Sequence, residues 1–192
     1  LMDIRQFFFQ YRSFTPIPIA LTIIYFSQPK IEQIVPGVGM LLIGELIRIW
    51  AVSHAGGATR TRNVGAPFLC TSGPYNRVRN PLYIGNLMMF AGIVLIAGSP
   101  NILVMLGVTL TFFIVQYSLI VSLEEETLID LFGDPYDIYR KNVHALFPRL
   151  TAWKDAEPRD PSPLGQTLIT EKRTLQNVVL ILLLIALRAY LS

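Results

Sequence analysis

Apolar residues fall in long blocks along this chain rather than in alternation. Five blocks stand out: Phe14 to Phe26, Val38 to Val52, Leu82 to Gly98, Ile102 to Ser122 and Leu175 to Leu187. A bilayer crossing needs roughly 20 mostly apolar residues, so each block predicts a membrane helix, the first of them extended at one end or the other. Pro16 and Pro18 sit early in that first block, where a missing N–H costs little. Ser27-Gln28-Pro29-Lys30 ends it. Ser99-Pro100-Asn101 is a turn-forming cluster, and a connection that short makes the third and fourth spans an antiparallel hairpin. The helix of the fourth span continues through Glu124, stops at Gly133-Asp134-Pro135 and resumes over about Tyr136 to Asn142, because glycine followed by proline ends a helix. Asp155 to Pro163 reads as a surface loop. The pattern predicts an all-α fold: a polytopic integral membrane bundle of about five transmembrane helices. The whole chain, 1–192, forms one domain, with an additional C-terminal transmembrane helix at about 174–191.

Composition supports a membrane setting. Only 15% of residues are charged, against about 25% in ordinary soluble domains, and the mean hydropathy is +0.48. The net charge of +3 is too small to indicate a nucleic-acid partner. Cys70 is the lone cysteine, which excludes an internal disulfide and a cysteine metal cluster. His54 and His144 are far apart and unaccompanied, so no metal is expected. The first residues lack the apolar core and small-residue site of a cleavable signal peptide. Basic residues in short loops set orientation. Arg60, Arg62, Arg77 and Arg79 lie between the second and third spans, whereas the loop from Ser27 to Pro36 has only Lys30, offset by Glu32. The arginine loop therefore faces the cytoplasm. So does the N-terminus, with Arg5 and Arg12, and so does the segment from Glu124 to Arg173. A bacterial inner membrane is the expected location.

Few polar side chains interrupt the spans. Glu45 and Arg48, three apart, share one helical face. They form either a structural ion pair near a membrane face or the polar wall of a substrate cavity, since charges in a span point inward or pair. Asn86 is the strongly polar residue of the third span, suited to an interhelical hydrogen bond or to the same cavity.

Two stretches flank the hairpin: Gly73 to Tyr83 on one side, and Glu124-Glu125-Glu126 with Leu128 and Phe132-Gly133 on the other. A there-and-back crossing puts both on one side of the membrane. Helical spacing sets Glu124, Leu128 and Phe132 on one face with Glu125 beside it, while Glu126 points elsewhere. Pro81 holds Asn80 extended and opens the third span, which brings Arg79, Asn80 and Tyr83 to a helix mouth. A zwitterionic amino-acid ligand suits such a place. Its carboxylate wants arginine or amide donors and its ammonium wants glutamate; a sulfonium favours aromatic faces. Tyr75, Tyr83, Tyr136, Tyr139 and Phe147 are the nearby aromatics.

Leu69-Cys70-Thr71-Ser72-Gly73-Pro74-Tyr75, Arg79-Asn80-Pro81-Leu82-Tyr83, Glu124-Glu125, Leu128, Phe132-Gly133, Tyr136, Tyr139 and Pro148 resemble the isoprenylcysteine carboxyl methyltransferase and phospholipid methyltransferase superfamily. The resemblance covers about residues 69–148. It implies an integral membrane enzyme using S-adenosyl-L-methionine, with Tyr75, Arg79, Asn80, Tyr83, Glu124, Glu125, Tyr136 and Tyr139 at the cofactor and Arg79 and Glu125 in the catalytic role. Asn80 stands where the family usually has histidine. Asparagine keeps a donor but cannot act as an acid or base. Glu45, Arg48 and Asn86 are the candidates on the acceptor side.

The implied reaction is methyl transfer to a lipophilic small-molecule or lipid acceptor that enters between helices. A prenylcysteine-type carboxylate ranks ahead of a phospholipid amine. A membrane sterol reductase using NADPH is a second class, with a similar Arg-His-Pro-x-Tyr core, although adjacent glutamates suit an ammonium better than a phosphate. A transporter or scaffold, with Glu45 and Arg48 as its polar path, is a third.

Overall fold

The computed structural model describes residues 3–57 and 64–191. Arg60 and Arg62 lie outside the described residues. Seven α-helices follow in chain order: α1 (Ile4–Gln10), α2 (Ile17–Tyr25), α3 (Ile31–Ala55), α4 (Pro81–Ala97), α5 (Ile102–Phe132), α6 (Asp134–Asn142) and α7 (Leu164–Tyr190), with a 3₁₀ turn over Gly73–Asn76 before α4. No strand occurs among the described residues. By length and composition α3, α5 and α7 are long and apolar enough to cross a membrane, and α4 is a shorter apolar helix of 17 residues.

The first apolar block holds only the short helix α2, and the chain ahead of it forms a separate helix, α1, instead of extending it. Asp3 caps α1 by accepting from the Arg5 amide at 2.8 Å. The chain then turns through Tyr11 to Pro16 before α2 begins. The two short helices together run antiparallel to α5. Arg5 reaches Glu126 (2.8 Å), Thr15 donates to Gln116 (2.7 Å), and the Gln28 amide donates to the Ala97 carbonyl (2.7 Å) beyond the far end of the hairpin. Pro16 stands at the N-cap of α2 and Pro18 in its first turn, where a proline's missing N–H costs little.

Helices α3 and α4 pack backbone to backbone. Gly37 and Gly44 of α3 face Gly92 and Gly85 of α4, each pair seven residues apart. A Cβ on Gly44 would lie 2.7 Å from the Gly85 carbonyl oxygen, and one on Gly37 would lie 2.8 Å from that of Gly92. Small residues at a membrane helix interface permit this approach.

At one end of the bundle α2, α3, α4 and α7 share a core of Ile23, Leu41, Ile93, Val94 and Ile185. Towards the other end, Phe9 of α1 packs on Phe113, Tyr117 and Ile120 of α5, with Tyr83 and Phe90 of α4 against them. Outward positions stay apolar, as at Leu42, Leu46, Val104, Val108, Leu180 and Leu183. Exposed apolar surface of this extent suits lipid contact.

Helix α7 begins at Leu164, eleven residues before the apolar block that predicts it. After Pro163 no breaker intervenes, and Thr167, Glu171 and Thr174 recur at helical spacing; Thr167 and Glu171 turn inward and are buried.

Candidate active site

Pro81 at the first position of α4 fixes where the helix starts, and Asn80 before it is non-helical (φ −123°, ψ 61°). The stretch leading into it is fastened by backbone pairing. The Arg79 amide donates to the His144 carbonyl at 2.9 Å and the Asn80 amide to the Ala145 carbonyl at 3.2 Å; the Asn80 side-chain Nδ2 also donates to Ala145 O, at 3.1 Å. Further along, Arg149 N donates to Arg77 O and Trp153 N to Asn76 O, both at 2.9 Å. Residues 143–153 thus form a strap along residues 76–80.

Helix α5 arrives antiparallel to α4 and carries its acidic run to this mouth. The Tyr83 hydroxyl donates to Glu124 Oε2 at 2.9 Å. The Arg79 guanidinium binds Glu125 Oε1 through Nε at 3.2 Å and also through Nη2. Its remaining nitrogen, Nη1, donates to the carbonyls of Arg140 (2.9 Å) and Val143. Arg79 therefore ties α5, the C-terminal end of α6 and the strap together. Each of Glu124 and Glu125 is held through one carboxylate oxygen, and the Glu125 side chain is 22% exposed. Glu126 turns away to Arg5 on the exposed surface. The structure brings Arg79, Tyr83, Glu124 and Glu125 into direct contact, and places Asn80 on the strap beside them.

The other tyrosines are buried supports. The Tyr75 ring packs with Ala51, Ala55 and Leu82, and Tyr139 donates to the Tyr75 carbonyl at 2.7 Å. Tyr136 and Tyr139 pack with Leu128, Ile129, Phe132 and Trp153. Burial pushes the hydroxyls of Tyr75, Tyr136 and Tyr139 upward from the ordinary tyrosine range. They stay protonated at neutral pH, and that of Tyr139 serves as a donor. Burial also raises the Cys70 thiol, which argues against a thiolate nucleophile there. Phe147 is exposed on the strap.

Deeper along α3 and α4 lies a second polar group. Arg48 does not pair with Glu45. Its Nη2 and Nε donate to Glu171 Oε2 of α7 at 2.7 and 3.2 Å, Nη2 also reaches Thr174 at 3.2 Å, and Nη1 binds Asn86 Oδ1. At three-residue spacing the two side chains share a face, but Glu171 presents a carboxylate end-on to the guanidinium from across the helix pair. Glu45 is buried one turn away.

Three contributors escaped the sequence reading. The Tyr117 ring stacks on Tyr83 with centroids 4.4 Å apart; it lies seven residues before Glu124, two turns along one face, and that spacing was the available signal. Glu171 belonged to a stretch read as a polar segment before the last span. The strap acts through backbone carbonyls, which carry no residue signature. Among the described residues no group of three His, Cys, Asp or Glu is placed to hold a metal ion.

The phospholipid methyltransferase family profile matches residues 33–135, more than half the chain: all of α4 and α5 and α3 from its third residue on. The chain belongs to the phospholipid methyltransferase family. That family is one of methyltransferases, and the chain's long apolar helices agree with a membrane setting. It is similar to the nickel-cobalt-cadmium resistance protein NccN of Alcaligenes xylosoxydans xylosoxydans, 29% identical over 118 residues, 62% of this chain and 49% of that protein. It is also similar to the protein-S-isoprenylcysteine O-methyltransferase of Schizosaccharomyces pombe, 29% identical over 114 residues, 57% of this chain and 47% of that enzyme. A third relative is methanethiol S-methyltransferase 1 of Bradyrhizobium diazoefficiens, 40% identical over 81 residues, 38% of this chain and 24% of that enzyme. The chain spans about half the length of the first two of these relatives. No solved structure gives a significant match.

Proposed function

We propose that this membrane methyltransferase uses S-adenosyl-L-methionine and methylates a lipophilic acceptor at the site formed by Arg79, Asn80, Tyr83, Glu124 and Glu125. The observation that carries the reading is the pair of adjacent carboxylates, each anchored through one oxygen, by Tyr83 and by Arg79. Their other oxygens suit an ammonium or ribose hydroxyls, and the stacked rings of Tyr83 and Tyr117 suit a positive sulfur. When bound, the cofactor supplies a methyl group on a positively charged sulfur.

In this reading Glu124 and Glu125 hold the ligand's cationic end. Asn80 adds an amide beside the strap. Arg79 positions Glu125 and the strap, and Tyr75, Tyr136 and Tyr139 brace them. Glu45, Arg48 and Asn86 form the polar part of the acceptor side. The protein's main task is alignment and exclusion of water, which is worth on the order of 7–11 kcal/mol where geometry is favourable. The whole chain acts as one domain, with the site end on the cytoplasmic side of a bacterial inner membrane, as the loop arginines indicate.

Two acceptor classes follow from the kinship. A prenyl thioether carboxylate needs no base, and the fission-yeast relative is named for that chemistry. A phospholipid amine must lose a proton, and the Glu124 carboxylate can accept it. One observation favours the amine: Arg48 and Arg79 both spend their donors on protein carboxylates and carbonyls. Adjacent carboxylates also weigh against a nicotinamide reductase, whose cofactor carries phosphates.

Titration calorimetry of the purified protein with S-adenosylhomocysteine, run beside NADPH, tests the reading. Binding of the first and not the second is expected. Binding of NADPH alone would overturn it. Incubating membranes with methyl-labelled cofactor and identifying the labelled lipid then distinguishes the acceptor classes.

A further inference from the structure

Helix α7 lies outside the family-matched residues 33–135 and is the most lightly packed of the long helices. Its described buried residues are Thr167, Glu171 and Ile185. Ile185 belongs to the apolar core at the far end, but Glu171 is a fully buried carboxylate, 0% exposed, opposite an Arg48 side chain that is 8% exposed. A buried ion pair is a poor way to dock a helix, because desolvating both charges can exceed their mutual attraction, and apolar residues of similar volume often serve as well or better. The cost is higher still in a membrane span, where paired charges mark functional paths.

The surrounding residues make room for the pair. Gly85 on α4 lets the Arg48 stem pass, since a Cβ there would lie 2.6 Å from Arg48 Cγ. The passage delivers the guanidinium to Asn86, three residues and one turn from Tyr83 on the same face of α4. The Tyr83 ring in turn stacks on that of Tyr117, with centroids 4.4 Å apart. The deep cluster and the helix-mouth site therefore adjoin along α4: Asn86, held by Arg48, lies one turn from Tyr83, which is bonded to Glu124.

We propose that Glu171 is a positioning residue of the transfer site: it fixes Arg48, Arg48 fixes Asn86, and Asn86 sets the Tyr117–Tyr83 stack beside Glu124. The proposal rests on the methyltransferase reading above and makes α7 part of the enzyme's working machinery rather than an added membrane anchor.

The test compares Glu171→Gln, the double variant Arg48→Met/Glu171→Met, and wild type. Three quantities are measured in full-length protein: the thermal midpoint in detergent, S-adenosylhomocysteine affinity by calorimetry, and transfer of label from methyl-labelled S-adenosylmethionine into the organic extract of membranes carrying the protein. Glu171→Gln keeps the shape and one acceptor oxygen, and should lower kcat at least tenfold with cofactor affinity within about twofold. The double variant removes both charges together, so it should recover the thermal midpoint but not the turnover. A purely structural pair predicts that turnover recovers together with the midpoint, so a double variant that is stable and turns over at the wild-type rate overturns the proposal. So does a Glu171→Gln variant that loses cofactor affinity in proportion to turnover, or wild-type protein that binds cofactor but transfers no label. Wild-type protein that binds no S-adenosylhomocysteine refutes the methyltransferase site itself, and the positioning role falls with it.

Discussion

The α3–α4 glycine seam gives a quantitative test of the fold that holds the site. Alanine at Gly44 would put a Cβ 2.7 Å from the Gly85 carbonyl oxygen and 2.8 Å from the Met89 amide nitrogen. Both are backbone atoms, so the helices must separate rather than a side chain swing away. Overpacking of this kind costs typically about 1–3 kcal/mol. Alanine also recovers about 1 kcal/mol of helix propensity over glycine. Gly39, on the same helix, has open space around its Cβ position and is exposed, so Gly39→Ala collects the propensity gain alone. Gly44→Ala should therefore be less stable than Gly39→Ala by about 1–3 kcal/mol. For a chain of this size that corresponds to a gap of roughly 2–12 °C in thermal midpoint, read in detergent by the near-ultraviolet signal. Equal midpoints for the two variants would refute direct backbone contact along the seam. Turnover should fall further in Gly44→Ala than its stability loss explains, because the seam carries Arg48 and Asn86.

Glu125→Ala should abolish binding of S-adenosylhomocysteine in calorimetry while the circular dichroism spectrum stays helical; unchanged affinity would remove Glu125 from the site. Arg79→Lys replaces a fork that spans Glu125 and two carbonyls with a point charge, so cofactor affinity should drop and amide exchange should quicken at residues 143–145. Unaltered exchange there would show that the strap does not depend on Arg79. Tyr139→Phe deletes the donor to a buried carbonyl and should cost about 1–3 kcal/mol, seen as a lower denaturation midpoint without loss of cofactor affinity. The hydroxyls of Tyr75, Tyr136 and Tyr139 are held above the ordinary tyrosine range, about 10, by burial. A raised acid favours the folded state while it is protonated, so stability should be flat from pH 7 to 9 and fall as pH rises beyond about 10. A midpoint that drops between pH 7 and 9 would contradict that burial.

What the sequence made legible follows the residues whose effect is local. Pro81, Gly98, Ser99-Pro100-Asn101 and Gly133 mark helix ends through backbone chemistry, and α4, α5 and α6 begin and end close to where those residues place them. Helical spacing separated Glu124 and Glu125 from Glu126, and the hairpin brought them to Arg79 and Tyr83. The N-terminal segment was harder, because apolar composition persists across the turn through Tyr11 to Pro16 and conceals the break between α1 and α2. Composition also misled at α7: Gln166 to Arg173 is polar enough to read as a loop, yet it is helical because its inward face meets a charged partner. The strap had no signature at all, since His144 and Ala145 contribute carbonyls that any residue would supply.

These misses share a cause that bears on the site. Hydropathy reads each helix against lipid, whereas the polar residues of α3, α4 and α7 are written against one another. Glu45 and Arg48 looked like a pair because they share a face, and Asp137 and Arg140 do pair at that spacing, at 2.9 Å, but a carboxylate from α7 engages Arg48 instead. Glu171, arriving from another helix, takes two guanidinium nitrogens on a single oxygen and leaves Nη1 directed at Asn86. Gly85 is what admits that geometry, and a larger residue at that position would displace the Arg48 stem. The same glycine lies against the Gly44 carbonyl, 2.7 Å from where its Cβ would be, so it serves the backbone contact of the seam and the passage of Arg48 together and connects the packing of the seam to the chemistry at its end.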